Sequence, residues 1–92
     1  MENADRGRIR LFIVDDDETL CQTLASRFQR QAMTVTTAGS VAEALHVAKS
    51  SSFDVALLDL HLPDGCGVEL LGQLKARQPE IEALMLDRKS VV

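Results

Sequence analysis

The sequence has almost no aromatic residues: it contains 3 Phe and neither Trp nor Tyr, and aromatics make up 3% of its 92 residues. Hydrophobic residues nevertheless account for 46% and charged residues for 26%, a balance that is typical of a folded globular chain and not of a disordered one. We therefore expect one small domain with a core of Leu, Val, Ile and Ala. Its stability should be marginal, because short chains bury a smaller fraction of their surface.

The sequence also lacks an excess of basic residues and a long apolar run. Its formal net charge is -4 and its pI about 5.0, and a phosphate backbone would repel such a chain, so we expect no direct nucleic-acid partner. The early apolar run at residues 11–14 is far too short for a signal sequence or a membrane span. We therefore predict a cytoplasmic protein with no membrane partner and a flexible, polar tail over residues 1–8.

Only two cysteines are present, Cys21 and Cys66, and neither belongs to a CxxC or Cys/His pattern. The spacing therefore indicates neither a redox dithiol nor a zinc site. We expect free thiols, with a disulfide between the two as the lesser alternative. Cys21 should pack in the first helix. Cys66 lies in the loop that follows Asp59, a candidate site residue. Redox modulation is the functional alternative for this thiol, but it has no basic neighbour that would activate it.

Four short apolar runs have the length and composition of buried strands. Two of them end abruptly in carboxylates, which indicates that the chain leaves the sheet there and enters a loop. The run after the first helix is β-branched throughout, which favours a strand although its ends are not defined. We predict strands over residues 9–14, 34–37, 55–58 and 81–86.

Three segments between these runs carry apolar residues at helical spacing. The first predicted helix spans residues 19–30 and ends in Arg27 and Arg30, where cations favour the helix dipole. The second begins at an S-x-x-E capping box formed by Ser40 and Glu43. The third ends before a proline, and we predict it from a stripe of Val68, Leu71 and Leu74.

Strands that alternate with helices in this way form right-handed βαβ units, which build a parallel sheet with helices on both faces. Asp15 and Asp16 follow the first strand, and Asp59 follows the third. In a flavodoxin-like sheet, with strand order 2-1-3-4-5, these two strands are neighbours and the functional crevice lies at their carboxyl ends. We therefore predict that the three carboxylates converge.

Carboxylates in one crevice repel each other unless a cation is present. Mg²⁺ suits them, because it prefers oxygen ligands and leaves positions open for a phosphate oxygen. Asp59 is the natural nucleophile toward phosphorus, since no acid stands beside it, whereas Asp15 and Asp16 are paired like metal ligands. Each acid also has a structural alternative. Asp59 could form an Asx turn, and residues 15–17 could be a solvated loop in which Asp17 caps the first helix.

The segments LFIVDDDE at residues 11–18 and VALLDLHLPDG at residues 55–65 together resemble the receiver domain of two-component response regulators. The resemblance covers about residues 9–86. It implies that Asp15 and Asp16 hold Mg²⁺ and that a sensor histidine kinase phosphorylates Asp59, which also contacts the metal. It further implies that the backbone carbonyl of His61 is a metal ligand, while the His61 side chain should face solvent.

The last part of the sequence departs from the family pattern. Asp87 occupies the place of a Ser or Thr whose hydroxyl reports phosphorylation, and a carboxylate there would oppose a phosphoryl group. The Lys of the family's fifth strand has no counterpart, since Lys89 does not match it by position. We therefore predict an α/β fold with an incomplete flavodoxin-like doubly wound sheet. It is a partial receiver domain over residues 9–92 without the fifth strand and the last two helices.

The missing elements would leave the fourth strand as an open edge and part of the sheet uncovered. This favours weak stability, or rescue by a homodimer or a domain-swapped dimer. Gly65 and Gly67 should serve the turn into the third helix, because their spacing matches no P-loop. His46 should lie on the surface of the second helix.

Three functions fit the residues. The leading hypothesis is a phosphoacceptor module of signal transduction, which is a switch and not an enzyme. The second is a pseudo-receiver that binds partners but accepts no phosphoryl group, which Asp87 and the missing Lys favour. The third, an Mg²⁺-dependent phosphohydrolase using Asp59, ranks last because no general acid follows at D-x-D spacing.

Overall fold

The computed structural model describes residues 8–87 of the chain. The predicted tail, apart from Arg8, and the position of Lys89 lie outside the described residues. Within that part of the chain, no helix is long and apolar enough to cross a membrane.

Strands and helices alternate along the chain in the predicted order. The strand that follows the third helix is the fourth one expected from the sequence. The first strand has the predicted bounds, and the other predicted bounds of strands and of the first helix lie within one residue of the observed ones. The elements are β1 (Ile9–Val14), α1 (Glu18–Gln29), β2 (Met33–Ala38), α2 (Val41–Ala48), β3 (Val55–Asp59), β4 (His61–Leu62), β5 (Gly65–Cys66), α3 (Gly67–Arg77) and β6 (Glu82–Leu86).

Four strands form one parallel sheet in the order β2-β1-β3-β6, which confirms the predicted flavodoxin-like arrangement. β1 and β3 are in register from Leu11 opposite Val55 to Val14 opposite Leu58. Their carboxyl ends therefore meet at the same edge of the sheet. Among residues 8–87, no strand pairs with the outer edge of β6. Leu84 of β6, the register partner of Leu57, is 61% exposed.

The sheet has a hydrophobic cluster on each face. α2 and α3 cover one face, with Phe12, Leu58 and Leu70 at its centre. Phe12 stacks on Phe53 with ring centroids 4.2 Å apart, so two of the 3 Phe form one pair. α1 covers the other face through a smaller cluster of Leu11, Ile13, Cys21 and Leu57. Burial of aliphatic side chains on both faces is what holds β1 and β3 in the middle of the sheet.

The helices begin as their capping residues predict. Asp17 caps α1, and its carboxylate accepts a hydrogen bond from the backbone N–H of Leu20 at 3.0 Å. Ser40 caps α2 by accepting from Glu43 N–H at 3.1 Å. The Glu43 carboxylate reaches back to Gly39 N–H and not to Ser40 N–H, which is one residue earlier than in a regular capping box.

The predicted stripe of α3 is right at Leu74, which is buried, and at Leu71, which is half-buried and packs against the core. It is wrong at Val68, which is 56% exposed, while Gly67 and Leu70 face the core. The phase is set by a tertiary contact, since a Cβ on Gly67 would overlap the backbone of Asp59. Residue 67 therefore faces β3, and residues three and seven positions later lie on the same side of the helix.

A short hairpin was not predicted. β4 and β5 pair antiparallel, with His61 opposite Cys66 and Leu62 opposite Gly65. The sequence indicates only a turn at this place, because two-residue strands are too short to show a period.

Candidate functional site

The three carboxylates at the ends of β1 and β3 converge as predicted. Ligand oxygens of Asp15, Asp16 and Asp59 all lie within 4.8 Å of one another. Asp15 is 1% exposed and Asp59 is 4% exposed, while Asp16 is exposed to solvent. The cluster therefore has two buried members and an open side.

Asp15 is held firmly by its surroundings. Its backbone N–H donates to the carbonyl of Ala38 on β2 at 3.0 Å, and its own carbonyl accepts from the thiol of Cys21 at 3.2 Å. Its carboxylate oxygen Oδ1 accepts from the N–H of Asp17 at 2.9 Å. These contacts fix the direction of the side chain. The structural alternative for this loop is thus also present, because Asp17 caps α1 while Asp15 and Asp16 face the cluster.

Asp59 ends β3 in an Asx turn, which is the alternative expected from its position. Its Oδ1 accepts a hydrogen bond from the N–H of His61 at 3.1 Å. The backbone of Leu60, the next residue, forms two hydrogen bonds. Its N–H donates to the carbonyl of Leu86, and its carbonyl accepts from the N–H of Gly67, each at 3.0 Å. The turn and the cluster coexist, since the Asx turn orients the buried carboxylate.

Ionised carboxylates this close to one another repel each other. Two unit charges about 5 Å apart repel by roughly 3 kcal/mol at an effective dielectric constant of about 20, and Asp15 and Asp59 are both buried. A divalent cation with oxygen ligands would offset this repulsion. The donor set, three carboxylates with one exposed side, fits Mg²⁺, which uses few protein carboxylates and keeps water or phosphate oxygens in its other positions.

His61 and Asp87 form the rim of the site. The side chain of His61 is 53% exposed, and its Nε2 lies 3.8 Å from Oδ1 of Asp87. Asp87 follows β6 directly, and Leu86 is the register partner of Asp59. Asp87 therefore stands at the strand end where the sequence placed it, although among the described residues the group of converging carboxylates does not include it.

Asp64 is a feature of the site loop that sequence reasoning missed. Its Oδ1 accepts from Val41 N–H at 2.8 Å and its Oδ2 from Ala42 N–H at 3.0 Å. These two bonds lower the pKa of the Asp64 carboxyl. The sequence indicates a turn at Pro63 and Asp64, but a capping partner 23 residues away leaves no local pattern.

The two cysteines and His46 also lie where the sequence predicts them. Cys21 and Cys66 are free thiols, and Cys21 is buried in α1. Cys66 caps α3, and its sulfur accepts from Val68 N–H at 3.4 Å. His46 is exposed on α2.

Two clefts border the sheet ends. A cleft of about 260 Å³ opens beside Asp15 and is lined by further acids, Glu18 and Glu43. A larger one, of about 580 Å³, lies around Arg10, Asp54 and Ile81 at the opposite ends of the strands. Of the three converging carboxylates, only Asp15 lines the smaller cleft, which lies between the ends of β1 and β2.

Comparison with known proteins agrees with this geometry. The sequence model of the family described as "Response regulator receiver domain" matches residues 11–91. The chain is 30% identical over 92 residues to the "Probable transcriptional regulatory protein TcrX" of Mycobacterium tuberculosis, and the match covers 100% of the chain and 39% of that protein. The chain thus spans less than half the length of the curated relatives it matches.

Solved structures show the same fold. A response regulator protein from Burkholderia pseudomallei, which contains a phosphorylated aspartic acid, a calcium ion and citrate, has a TM-score of 0.80 and 31% identity, covering 84% of this chain and 45% of that chain. The response regulator protein TrrA from Thermotoga maritima, in complex with Mg²⁺ and BeF, has a TM-score of 0.81 and 26% identity, covering 89% of this chain and 71% of that chain.

Proposed function

This chain belongs to the response regulator receiver domain family, and on that premise we propose that it is a phosphoacceptor module of two-component signal transduction. In this proposal Asp59 accepts a phosphoryl group from a sensor histidine kinase. The observation that carries it is the convergence of Asp15, Asp16 and Asp59 within 4.8 Å. The proposal includes the cytoplasmic location expected from the sequence.

The proposed metal ligands are Asp15, Asp16, Asp59 and the backbone carbonyl of His61. When bound, Mg²⁺ supplies positive charge that offsets both the carboxylates and the incoming phosphoryl oxygens. Two features of the residues support this assignment: the repulsion between the buried acids, and the open side at Asp16. The Mg²⁺ and BeF complex of TrrA supports it by similarity.

In the proposed transfer, a carboxylate oxygen of Asp59 forms a P–O bond while the P–N bond of the kinase phosphohistidine breaks. The imidazole nitrogen leaves with the electron pair. Such a reaction depends mainly on in-line positioning. This chain contributes that positioning, because the N–H of His61 orients the Asp59 carboxylate at 3.1 Å and β3 is paired on both sides. The phosphorylated aspartic acid of the Burkholderia relative supports the same chemistry by similarity.

A second candidate function is favoured by Asp87. Its carboxylate lies 3.8 Å from the imidazole of His61, at the strand end where the family has a hydroxyl. A fourth negative charge at the rim of the site would oppose the bound phosphoryl group. A pseudo-receiver that binds Mg²⁺ and protein partners, without accepting a phosphoryl group, is therefore the alternative.

The two functions differ in covalent chemistry, which intact-mass analysis measures. The protein is incubated with acetyl phosphate and Mg²⁺ as wild type, as Asp59→Asn and as Asp54→Asn. The last variant is the matched control, because Asp54 is a half-exposed acid that pairs with Arg10 at 3.0 Å, away from the cluster.

We expect a phosphoryl adduct on wild type and Asp54→Asn, and none on Asp59→Asn. A folded wild type that acquires no adduct would rule out the phosphoacceptor and leave the pseudo-receiver. An adduct that persists in Asp59→Asn would show that another residue is the nucleophile.

A further inference from the structure

The hairpin of β4 and β5 carries His61, whose backbone carbonyl is a proposed metal ligand. One end of the hairpin is fixed by the site itself. His61 N–H donates to Asp59 at 3.1 Å, and His61 pairs across the hairpin with Cys66. The opposite end is the turn at Pro63 and Asp64, which lies on the side of α2. The bonds that hold that turn therefore act on the position of the carbonyl together with the contacts to Asp59 and Cys66.

Asp64 ties the turn to the beginning of α2. Its two carboxylate oxygens each accept a backbone N–H, from Val41 at 2.8 Å and from Ala42 at 3.0 Å. The next residue packs against the same place, since a Cβ on Gly65 would lie 3.1 Å from Cγ2 of Val41. The turn therefore contacts the first turn of α2 through both a hydrogen-bonded carboxylate and close packing.

The N-terminus of α2 has two separate caps. Ser40 caps one free donor, since its Oγ accepts from the N–H of Glu43 at 3.1 Å, while its carbonyl accepts the first intrahelical bond from Ala44 at 3.0 Å. Asp64 caps two more donors, the N–H groups of Val41 and Ala42. Three donors without intrahelical partners are thus paired by side chains, but only the Asp64 cap comes from the hairpin.

The charge of Asp64 suits this role. The N–H groups of Val41 and Ala42 lower its pKa, so the carboxylate stays ionised well below neutral pH. It lies at the positive end of the α2 dipole, which favours an anion.

We propose that Asp64 is a positioning residue of the phosphoacceptor site: it holds the hairpin turn on α2 and thereby fixes the backbone carbonyl of His61 toward the Mg²⁺ position. This inference rests on the proposed function. Asp64 itself contacts neither the metal nor the phosphoryl group, and it acts through the hairpin.

The two caps of α2 provide a matched pair of variants. Asp64→Ala removes the cap that belongs to the hairpin, and Ser40→Ala removes a cap from the same helix end without changing a hairpin bond. Both should lower stability, as measured by urea unfolding. Only Asp64→Ala should weaken Mg²⁺ binding in a calorimetric titration, by about tenfold, which is typical for the loss of a residue that orients a metal ligand.

Hydrogen exchange in Mg²⁺-free buffer provides a readout independent of the metal. We expect faster exchange of the His61 amide in Asp64→Ala than in Ser40→Ala. Asp64→Asn, which keeps the size of the side chain and one acceptor oxygen, replaces Asp64→Ala if the latter does not fold, and should give an intermediate Mg²⁺ affinity.

Equal Mg²⁺ affinities and equal His61 exchange in the two cap variants would show that Asp64 acts only as a helix cap. This result would overturn the inference about Asp64 and leave the proposed metal site standing. A folded wild type that binds no Mg²⁺ would overturn both this inference and the proposed metal site. The two failures are therefore distinguishable in the same set of titrations.

Discussion

Gly67, the first residue of α3, lies directly against the backbone carbonyl of Asp59, so closely that a Cβ at Gly67 would overlap the carbonyl oxygen. The overlap would be with backbone atoms, which have little freedom to move. Because Gly67 has no Cβ, the beginning of α3 can pack directly against the end of β3. Any displacement of this contact moves the residue that we propose as the phosphoacceptor.

We predict that Gly67→Ala destabilises the protein by about 1 to 3 kcal/mol, the range found when a close-packed site is overfilled. The matched control is Gly72→Ala in the same helix, where a Cβ would meet no atom within 4 Å. Ala is favoured over Gly inside a helix by about 1 kcal/mol, so the control should be more stable than wild type. Urea unfolding measures both. Similar changes in the two variants would show that the contact with Asp59 is unimportant.

The Gly67 contact also shows which parts of the fold local sequence patterns predict. Strand order and the convergence of Asp15 with Asp59 follow from short apolar runs that end in carboxylates, together with general rules for parallel sheets. The cap at Asp17 is equally local. The buried side of α3 is not, because a backbone contact with β3 selects Leu70 in place of Val68.

The bond between Asp64 and Val41 is the second feature without a local signal. Turn chemistry accounts for Asp64 in the sequence, and Ser40 accounts for the start of α2. The link between them, spanning 23 residues, depends on how the hairpin packs on the helix. The site could thus be predicted as a set of carboxylates, while the structure that holds its loop could not.

We predict opposite effects of Asp15→Asn with and without Mg²⁺. In Mg²⁺-free buffer the variant should be more stable than wild type by roughly 1 to 3 kcal/mol, because one charge of a buried, mutually repelling pair is removed. The amide keeps an oxygen that can accept from Asp17 N–H, as Oδ1 does at 2.9 Å in the wild type.

In Mg²⁺ at about one hundred times its Kd, wild type should gain about 2.7 kcal/mol by mass action, and Asp15→Asn should gain much less. Thermal unfolding in EDTA and in Mg²⁺ measures both effects. A wild type whose Tm does not respond to Mg²⁺ would contradict the proposed metal site.

We predict that Asp54 stabilises the protein at neutral pH and loses this effect in acid. The hydrogen bond from the Arg10 side chain, helped by Arg10 N–H, lowers the Asp54 pKa below its ordinary value of 3.8. A carboxyl whose pKa is lower in the folded state contributes stability above the unfolded pKa, and this is lost as pH falls through the folded pKa.

The contribution should be small, because both side chains are more than two-fifths exposed, at 45% and 43%. Urea midpoints from pH 6 down to about pH 3 should therefore fall slightly less steeply for Asp54→Asn than for wild type. A steeper fall in the variant would reverse the sign of this linkage.

The final prediction concerns Asp87 and tests whether its carboxylate slows the phosphorylation of Asp59. Asp87→Thr removes the carboxylate at the rim of the site and supplies a hydroxyl that can donate a hydrogen bond to a phosphoryl oxygen. If removing the carboxylate lowers the activation free energy of phosphorylation by about 1.4 kcal/mol, the reaction becomes tenfold faster. We therefore expect adduct formation from acetyl phosphate to accelerate by about tenfold or more.

Two control variants distinguish the effect of removing the charge at residue 87 from the effect of adding a hydroxyl, and from the effect of removing a charge far from the site. Asp87→Asn removes the charge without adding a hydroxyl, and should give part of the acceleration. Glu82→Gln removes an equal charge from the exposed beginning of the same strand, β6, and should give little, since salt screens an exposed charge at the far end of the strand. Equal acceleration by Glu82→Gln and Asp87→Thr would mean that net charge alone controls the reaction. No acceleration in Asp87→Thr would show that the acid at this position does not limit phosphorylation.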